Sequence, residues 1–200
     1  MIKTAEGLAS EESFERQHDY GMFGLVPAWA NVKLARSTYN ARIETVSTKP
    51  SFRAAWKRRQ FCAVPFENFF ESNYESGKLV RWRIEHVDGI PLAVAGLWEW
   101  RQNGGLDDKP LVSFTMLTIN ADSHPLMKRF HKPEDEKRMI VLLEPNQIDE
   151  WLKSAIEAAH SFCQPYDADK MISEAAPKPA RMKKIDVESE PESEDEPGLL

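Results

Sequence analysis

The spacing of apolar residues along the chain predicts a domain built mainly from β-strands. Over residues 79–86, LVRWRIEH, apolar and charged side chains alternate with a period of two, which is typical of a strand with one buried face. Residues 90–100 are apolar enough to be buried on both faces, and the apolar runs 111–119 and 138–143 are also predicted to be strands. The middle of the chain is therefore predicted to be rich in sheet.

Helical spacing occurs in a few short stretches. Apolar residues share one helical face within residues 50–59 and, most clearly, within residues 144–160. From about residue 165 onward this periodicity ends, and we predict a disordered acidic tail over 175–200. The whole pattern predicts an α+β domain over residues 1–165, with a sheet-rich, barrel-like antiparallel centre and a few short helices.

Charge is unevenly distributed along the 200 residues. The net charge is −6, yet residues 186–200 hold seven acids and no base, whereas residues 31–60 hold eight Lys or Arg against Glu44 alone. Such a basic segment on a near-neutral body could bind a polyanion, or it could be an ordinary solvated face. Charge alone does not choose between them.

The remaining composition restricts the location and the chemistry. No apolar run approaches the ~20 residues needed to span a bilayer, and the N-terminus lacks the order of a signal peptide, so we expect a cytoplasmic protein without a membrane partner. Cys62 and Cys163 form neither a disulfide framework nor a four-ligand metal site, and we expect buried free thiols. No metal and no cofactor is predicted, because the common nucleotide, zinc-protease and serine-hydrolase signatures are absent.

Two glutamates lie in the mostly apolar stretch QFCAVPFENFFES, residues 60–72. Glu67 and Glu71 could be solvated acids of a loop that follows Pro65. Alternatively, one of them is held in a pocket, where desolvation raises its pKa and suits it to proton transfer. Both interpretations remain open from the residues alone.

Six separated motifs occur in an order that resembles a known family. They are GLVPAWA (24–30), NARIET (40–45), SFRAAWKRRQFCAVPFENFFE (51–71), AGLWEW (95–100), TINAD (118–122) and a last stretch from His131 to RMIVLL (138–143). Together they resemble the SRAP family of SOS response-associated peptidases, also called abasic-site processing proteins. The likeness covers residues 21–152.

The resemblance implies an enzyme that acts on damaged DNA. Family members bind single-stranded DNA and cross-link to abasic sites through an N-terminal cysteine, which is exposed when the protein removes its own Met. The resemblance thus implies peptidase and lyase-like activity and single-stranded DNA with abasic sites as partner. We expect a monomer that associates with the nucleoid when bound to DNA.

The resemblance also assigns catalytic roles to three residues of this chain. Asn40 matches the asparagine that hydrogen-bonds the amine and the sugar adduct. Glu71 matches the glutamate that shuttles protons there, which makes Glu67 a loop acid. His131 matches the histidine that acts as acid and base in opening the sugar and the imine.

Five further residues match the DNA contacts of the family. Arg42, Arg53 and Arg138 match arginines near the DNA backbone, where guanidinium groups suit phosphate oxygens. Trp29 and the loop around Pro27 match an apolar wedge beside the unstacked base. Surface salt bridges and a core tryptophan are the alternative interpretations of these residues.

This sequence departs from the family pattern in several places. The family begins Met-Cys-Gly-Arg, whereas this chain begins Met1, Ile2, Lys3. Ser72 stands where the family has Trp, and the last motif places His131 and Arg138 seven residues apart rather than two.

Three hypotheses follow from these departures. The chain is an incomplete copy of a cross-linking enzyme, a non-catalytic single-strand DNA-binding module, or a thiol hydrolase that uses Cys62. Under the first two, we expect the chain as written to form no stable adduct with an abasic site, although a transient imine remains open to it.

Overall fold

The structure is a computed structural model that describes residues 1–4, 15–105 and 109–178. The acidic tail predicted over residues 175–200 lies outside the described residues from 179 onward. The described part is a sheet-rich α+β fold, as predicted. A large, curled half-barrel sheet packs with a smaller sheet and a few short helices.

Nine strands form the large sheet. They are β1 (Ile2–Thr4), β2 (Arg16–His18), β3 (Met22–Phe23), β4 (Asn40–Arg42), β5 (Phe61–Phe66), β8 (Leu92–Arg101), β9 (Leu111–Asn120), β10 (Arg138–Ile140) and β11 (Leu142–Leu143). The main path runs β10-β9-β8-β5-β1-β2, and its neighbours pair antiparallel. Two short strands, β3 and β4, pair with β9 in parallel, so the large sheet is mixed around its antiparallel path.

The curl of this sheet arises where β8 and β9 separate. Their direct pairing covers only residues 96–101 and 111–116, and strands β10 and β11 then lie between the diverging ends. Val141 joins the two sides, because its N–H donates to Leu117 O and its carbonyl accepts from Ala95 N, both at 2.9 Å. The predicted strand 138–143 is thus divided between two partners.

The smaller sheet has the order β12-β7-β6. Its strands are β6 (Asn68–Asn73), β7 (Val80–His86) and β12 (Met171–Ala175), all antiparallel. Strands β5 and β6 are separated only by Glu67, so the apolar stretch 60–72 passes from one sheet directly into the other. Strand β12 lies beyond residue 165, where the predicted domain ended, and it completes this sheet.

The helices are shorter than their sequence patterns predict. Helix α1 covers Arg53–Lys57, and Arg59, two residues beyond its end, has a left-handed φ of 55°. The pattern over 144–160 is divided into α2 (Ile148–Lys153) and α3 (Ile156–Ala159). The break follows from Ser154, whose extended backbone ends α2 and whose hydroxyl donates to Trp151 O at 2.8 Å.

The core joins these helices to the large sheet. Trp151 of α2 is fully buried, stacks on Phe61 at 4.5 Å between ring centroids and donates its indole N–H to Cys62 O at 2.8 Å. This aromatic contact closes one side of β5. Among the described helices, none is long and apolar enough to cross a membrane.

Candidate active site

Glu71 occupies a partly buried position in the middle of β6. It pairs with Trp82 of β7, and its side chain is 22% exposed. Burial raises the pKa of the Glu71 carboxyl, while the charge of His131 and a backbone hydrogen bond act in the opposite direction. Glu67 is exposed, so the pocket interpretation applies to Glu71 and the solvated one to Glu67.

His131 is held beside Glu71 by a strained backbone turn. Its φ is 63°, in the left-handed region that non-glycine residues seldom adopt. The backbone N–H of His131 donates to Ser72 O at 2.9 Å, and the preceding residue, the buried Phe130, forms a bridge with Asn73. These contacts tie the turn to the end of β6.

The His131 ring connects Glu71 to the last strand motif. Its Nε2 atom lies 3.9 Å from Glu71 Oε2 and 3.0 Å from Arg138 O. A proton on Nε2 is therefore within reach of a backbone acceptor and close to a carboxylate whose pKa is raised. Such a pair can hold a proton and pass it to a bound group.

Arg138 is in contact with His131 although seven residues separate them in sequence. The extra residues form a loop, residues 132–137, in which Lys137 N donates to Asp122 Oδ1 at 2.8 Å and Lys137 O accepts from Ala121 N at 2.7 Å. These hydrogen bonds return the chain to β9 beside His131. The longer spacing in this sequence therefore leaves the two residues together.

The guanidinium of Arg138 is the centre of a charged network. It donates to both carboxylate oxygens of Glu44 at 2.9 and 3.0 Å, to Glu136 at 2.8 Å and to Thr118 O at 2.8 Å. Hydrogen bonds from Arg138 hold the pKa of Glu44 and of Glu136 below the usual range. Only 13% of the Arg138 side chain is exposed. Its guanidinium therefore mainly holds the neighbouring carboxylates in place.

Arg42 extends this network to the surface. Arg42 lies in β4, opposite Thr118 of β9. Its side chain is 56% exposed and donates to Glu136 at 2.6 Å. Asn40 is also exposed on β4, on the same side of the strand as Arg42, while Ala41 between them is buried. The Asn40 amide makes no hydrogen bond to the residues that the structure describes.

The other predicted DNA contacts lie on different elements. Arg53 is exposed at the first residue of α1. Trp29 is 67% exposed on a turn in which Ala30 N donates to Pro27 O at 2.9 Å, and Pro27 itself is buried. Arg101 donates to Ala30 O at 2.6 Å, which fixes this turn near the connection between β8 and β9.

The predicted residues thus form two groups along β9. Val26 N donates to Ser113 Oγ beside the Trp29 turn, whereas Arg42 lies opposite Thr118. At a rise of roughly 3.4 Å per residue, those two positions on β9 are about 17 Å apart. The structure brings Glu71, His131, Arg138 and Arg42 together and leaves Trp29 at a distance along the same strand.

Two carboxylates of the site were missed by sequence reasoning. Glu44 and Glu136 pair with the site arginines, and Glu136 lies in the loop that makes this motif longer. The signal for Glu44 was present, since it is the single acid among eight bases over residues 31–60. For Glu136 no comparable signal exists in the sequence.

The cysteines do not form a catalytic centre. Cys62 and Cys163 are both buried free thiols, as predicted. Burial raises the pKa of each thiol to about 12, so neither is a thiolate at neutral pH. This contradicts the hypothesis of a thiol hydrolase that uses Cys62. In residues 1–4, 15–105 and 109–178, no group of three or more His, Cys, Asp or Glu could hold a metal ion.

Fold and site together define a sheet-rich α+β protein with a carboxylate–imidazole pair bordered by arginines. The model of the family "SOS response associated peptidase (SRAP)" matches residues 2–179, and the chain belongs to this family.

Individual relatives carry names that refer to abasic sites. Abasic site processing proteins YoqW and YoaM of Bacillus subtilis (strain 168) are 34% and 32% identical to the chain over 155 residues. Each match covers 74% of this chain and 64% or 63% of the relative, so the chain spans a little under two thirds of their length. A crystal structure of a protein from Bordetella bronchiseptica has a TM-score of 0.73 at 33% identity, over 88% of this chain and 84% of that one.

Proposed function

We propose that this protein processes abasic sites in single-stranded DNA, with Glu71 and His131 as its acid–base pair. The observation that carries the proposal is the 3.9 Å approach of His131 Nε2 to the partly buried Glu71 carboxylate, beside Arg42 and Arg138. The names of the relatives support the substrate class. An exposed arginine supplies a contact for the phosphates that flank a damaged sugar.

The first chemical step opens the abasic sugar. His131 donates a proton to the ring oxygen as the bond from C1′ to that oxygen breaks, and Glu71 accepts the proton of the C1′ hydroxyl. The product is an aldehyde at C1′. Because burial raises its pKa, the Glu71 carboxylate accepts a proton more readily than an exposed carboxylate does and can return it in the next step.

The second step joins an amine to the aldehyde. The amine nitrogen attacks C1′ and passes a proton to the former aldehyde oxygen. Glu71 returns its proton to His131, which then protonates the carbinolamine hydroxyl, so that water leaves and a protonated imine remains. Where the amine belongs to an N-terminal cysteine, the thiol of the same residue adds to the imine carbon and closes a thiazolidine ring. Asn40 hydrogen-bonds the adduct in this scheme, with an amide that makes no hydrogen bond to the described residues.

A second candidate function is binding of single-stranded DNA without a covalent step. One observation favours it, since Arg42 is 56% exposed near the Glu71–His131 pair, and a phosphate contact by an arginine needs no covalent step. Glu71, His131 and the arginines would then serve only to recognise the abasic sugar.

Both candidates are tested by incubating the full chain with single-stranded abasic DNA, with and without borohydride, on a denaturing gel. A band only with borohydride supports the imine, whereas a heat-stable band without reductant would contradict the expectation that this chain, whose first cysteine is Cys62, forms no stable adduct. Selective binding without any band supports the binding module. If Glu71→Gln and His131→Ala leave both binding and trapping unchanged, the assignment of this site is wrong.

A further inference from the structure

A cleft of about 590 Å³ adjoins Glu71 at the edge of the smaller sheet. Phe70, Leu79 and Arg81 line it together with Glu71, and Lys178 lies at its border. Phe70 is 40% exposed and Leu79 is 59% exposed, so two large apolar side chains face the cleft rather than the core. Pockets of this size hold small planar ligands.

The guanidinium of Arg81 stacks on the aromatic ring of Phe70, and both residues line this cleft. Its guanidinium carbon lies 3.2 Å from the centroid of the Phe70 ring, and within the described residues the guanidinium has no hydrogen bond and no ion pair. Arg83, two residues along the same strand, instead pairs with Glu85 and Glu174. Arg81 is therefore a stacked cation whose N–H donors remain available to a ligand.

The cross-strand register explains this contact. Phe70 pairs with Arg83 and Ser72 pairs with Arg81, so Phe70 and Arg81 are diagonal neighbours on one face of the two strands. Glu71 lies between Phe70 and Ser72, and its side chain points to the opposite face. Glu71 and Phe70 nevertheless both line the cleft, which lies at β6, the outer strand of its sheet.

From these contacts we infer that the Phe70–Arg81 pair is a stacking site for the base of a nucleotide next to the abasic sugar. A phenyl ring and a guanidinium are both flat, and nucleobases stack on either. The free N–H donors of Arg81 and the ammonium of Lys178 meet the phosphates of such a nucleotide. This inference rests on the proposed function, because the sugar bound at Glu71 determines which nucleotide reaches the cleft.

The test uses three oligonucleotides that contain a tetrahydrofuran abasic analogue. In the first both flanking bases are present, in the second the 5′ neighbour also lacks its base, and in the third the 3′ neighbour does. We expect the wild-type chain to lose affinity, on the order of tenfold, for only one of the last two. We expect 2-aminopurine at that same position to be quenched on binding.

Two conservative variants separate stacking from charge and from folding. Phe70→Leu keeps an apolar side chain and Arg81→Lys keeps the positive charge, yet each removes one flat group. Both should weaken binding to the fully flanked oligonucleotide, abolish the quenching and leave affinity for the oligonucleotide without that base unchanged. Ile172→Leu and Arg83→Lys, on the same face but outside the cleft, are the matched controls and should behave as wild type.

The outcomes distinguish this inference from the proposed function. If the wild-type chain prefers abasic single strands but Phe70→Leu and Arg81→Lys match it on all three oligonucleotides, the stacking site is refuted and the proposed function stands. If the wild-type chain binds no single strand, both are refuted. Equal loss by the variants on every oligonucleotide would also refute stacking, since it would show a general electrostatic or folding effect.

Discussion

The site residues show how individual side chains are held against their own preferences. Glu71 is a carboxylate held partly buried in β6, and His131 adopts a backbone conformation that favours glycine. Burial of the carboxylate and the left-handed backbone each lower the free energy of unfolding. Contacts with neighbouring strands hold both residues in place. Groups held in this way are typical of reactive sites, because their environment changes how they bind protons.

The first prediction concerns the pH dependence of stability at Glu71. Burial raises its pKa above the ordinary value of 4.5, so between these two values the folded state binds more protons than the unfolded state. This contribution to the free energy of unfolding therefore falls as pH rises through that window. Glu71→Gln should match wild type below pH 4.5 and be more stable above the raised pKa, as measured by urea unfolding across pH.

The exposed Glu67 provides the control for this experiment. Glu67→Gln removes the same charge four residues away, and its unfolding profile should follow wild type at every pH. A Glu71→Gln profile parallel to wild type would contradict a buried, proton-binding carboxylate at this position.

The second prediction concerns the backbone at His131. Because its φ is 63°, glycine should fit there better than alanine, by about 1 kcal/mol in the free energy of unfolding. Urea denaturation of His131→Gly and His131→Ala measures the difference, and both variants should lose acid–base function. Ala54→Gly, inside α1, should show the opposite sign.

At the scale of elements, the site depends on how closely the strands approach one another. Gly96 of β8 pairs with Met116 of β9, and a Cβ atom added to it would lie 2.4 Å from Thr115 O and 3.1 Å from Cys62 Sγ. Gly24 has a φ of 106°, and its added Cβ would lie 2.2 Å from Ala35 O. These glycines of AGLWEW and GLVPAWA are therefore required by packing, whatever else the motifs do.

The third prediction tests this requirement. Gly96→Ala should lower the free energy of unfolding by about 1–3 kcal/mol, because the strand backbone must move to accept a methyl group. The double variant Gly96→Ala with Cys62→Ala removes the sulfur but leaves the carbonyl oxygen of Thr115, so it should not restore stability. Recovery of stability in the double variant would show that the Cys62 sulfur, rather than the backbone, excludes a Cβ atom at residue 96.

For the whole molecule, the distribution of charge determines how a polyanion would meet the surface. The basic segment predicted to bind phosphate is partly neutralised, since Glu136 pairs with Arg42 and Glu99 pairs with Arg58. A phosphate at Arg42 must compete with Glu136. The count of eight bases over residues 31–60 therefore overstates the charge that is available to DNA.

The fourth prediction follows from this competition. Arg42→Ala should weaken binding to single-stranded DNA and reduce the slope of log K against log salt by about 0.7, the contribution of one phosphate contact. Glu136→Gln should strengthen binding, because it removes the carboxylate that occupies Arg42. Fluorescence anisotropy across a salt series measures both effects.

A matched control separates local competition from general repulsion. Glu134→Gln makes the same change of charge two residues from Glu136, at an exposed position in the same loop. It should strengthen binding much less than Glu136→Gln does. Equal effects of the two variants would mean that Arg42 is not a phosphate contact limited by Glu136.

The sequence by itself determined the elements whose burial is periodic. The alternation over 79–86 corresponds to β7, because a period of two records which side chains leave water. The apolar runs at 90–100 and 111–119 correspond to β8 and β9. The series of motifs identified the family, and the resemblance, rather than the apolar stretch alone, selected Glu71 over Glu67 as the pocket carboxylate.

Tertiary structure alone decided how these pieces meet. The contact of His131 with Arg138 depends on a loop that returns to β9, and the Phe70–Arg81 pair depends on cross-strand register. The parallel pairing of β3 and β4 with β9 depends on closure of the curled sheet. Local periodicity carries no record of such contacts, because they are set by the packing of segments that are distant in sequence.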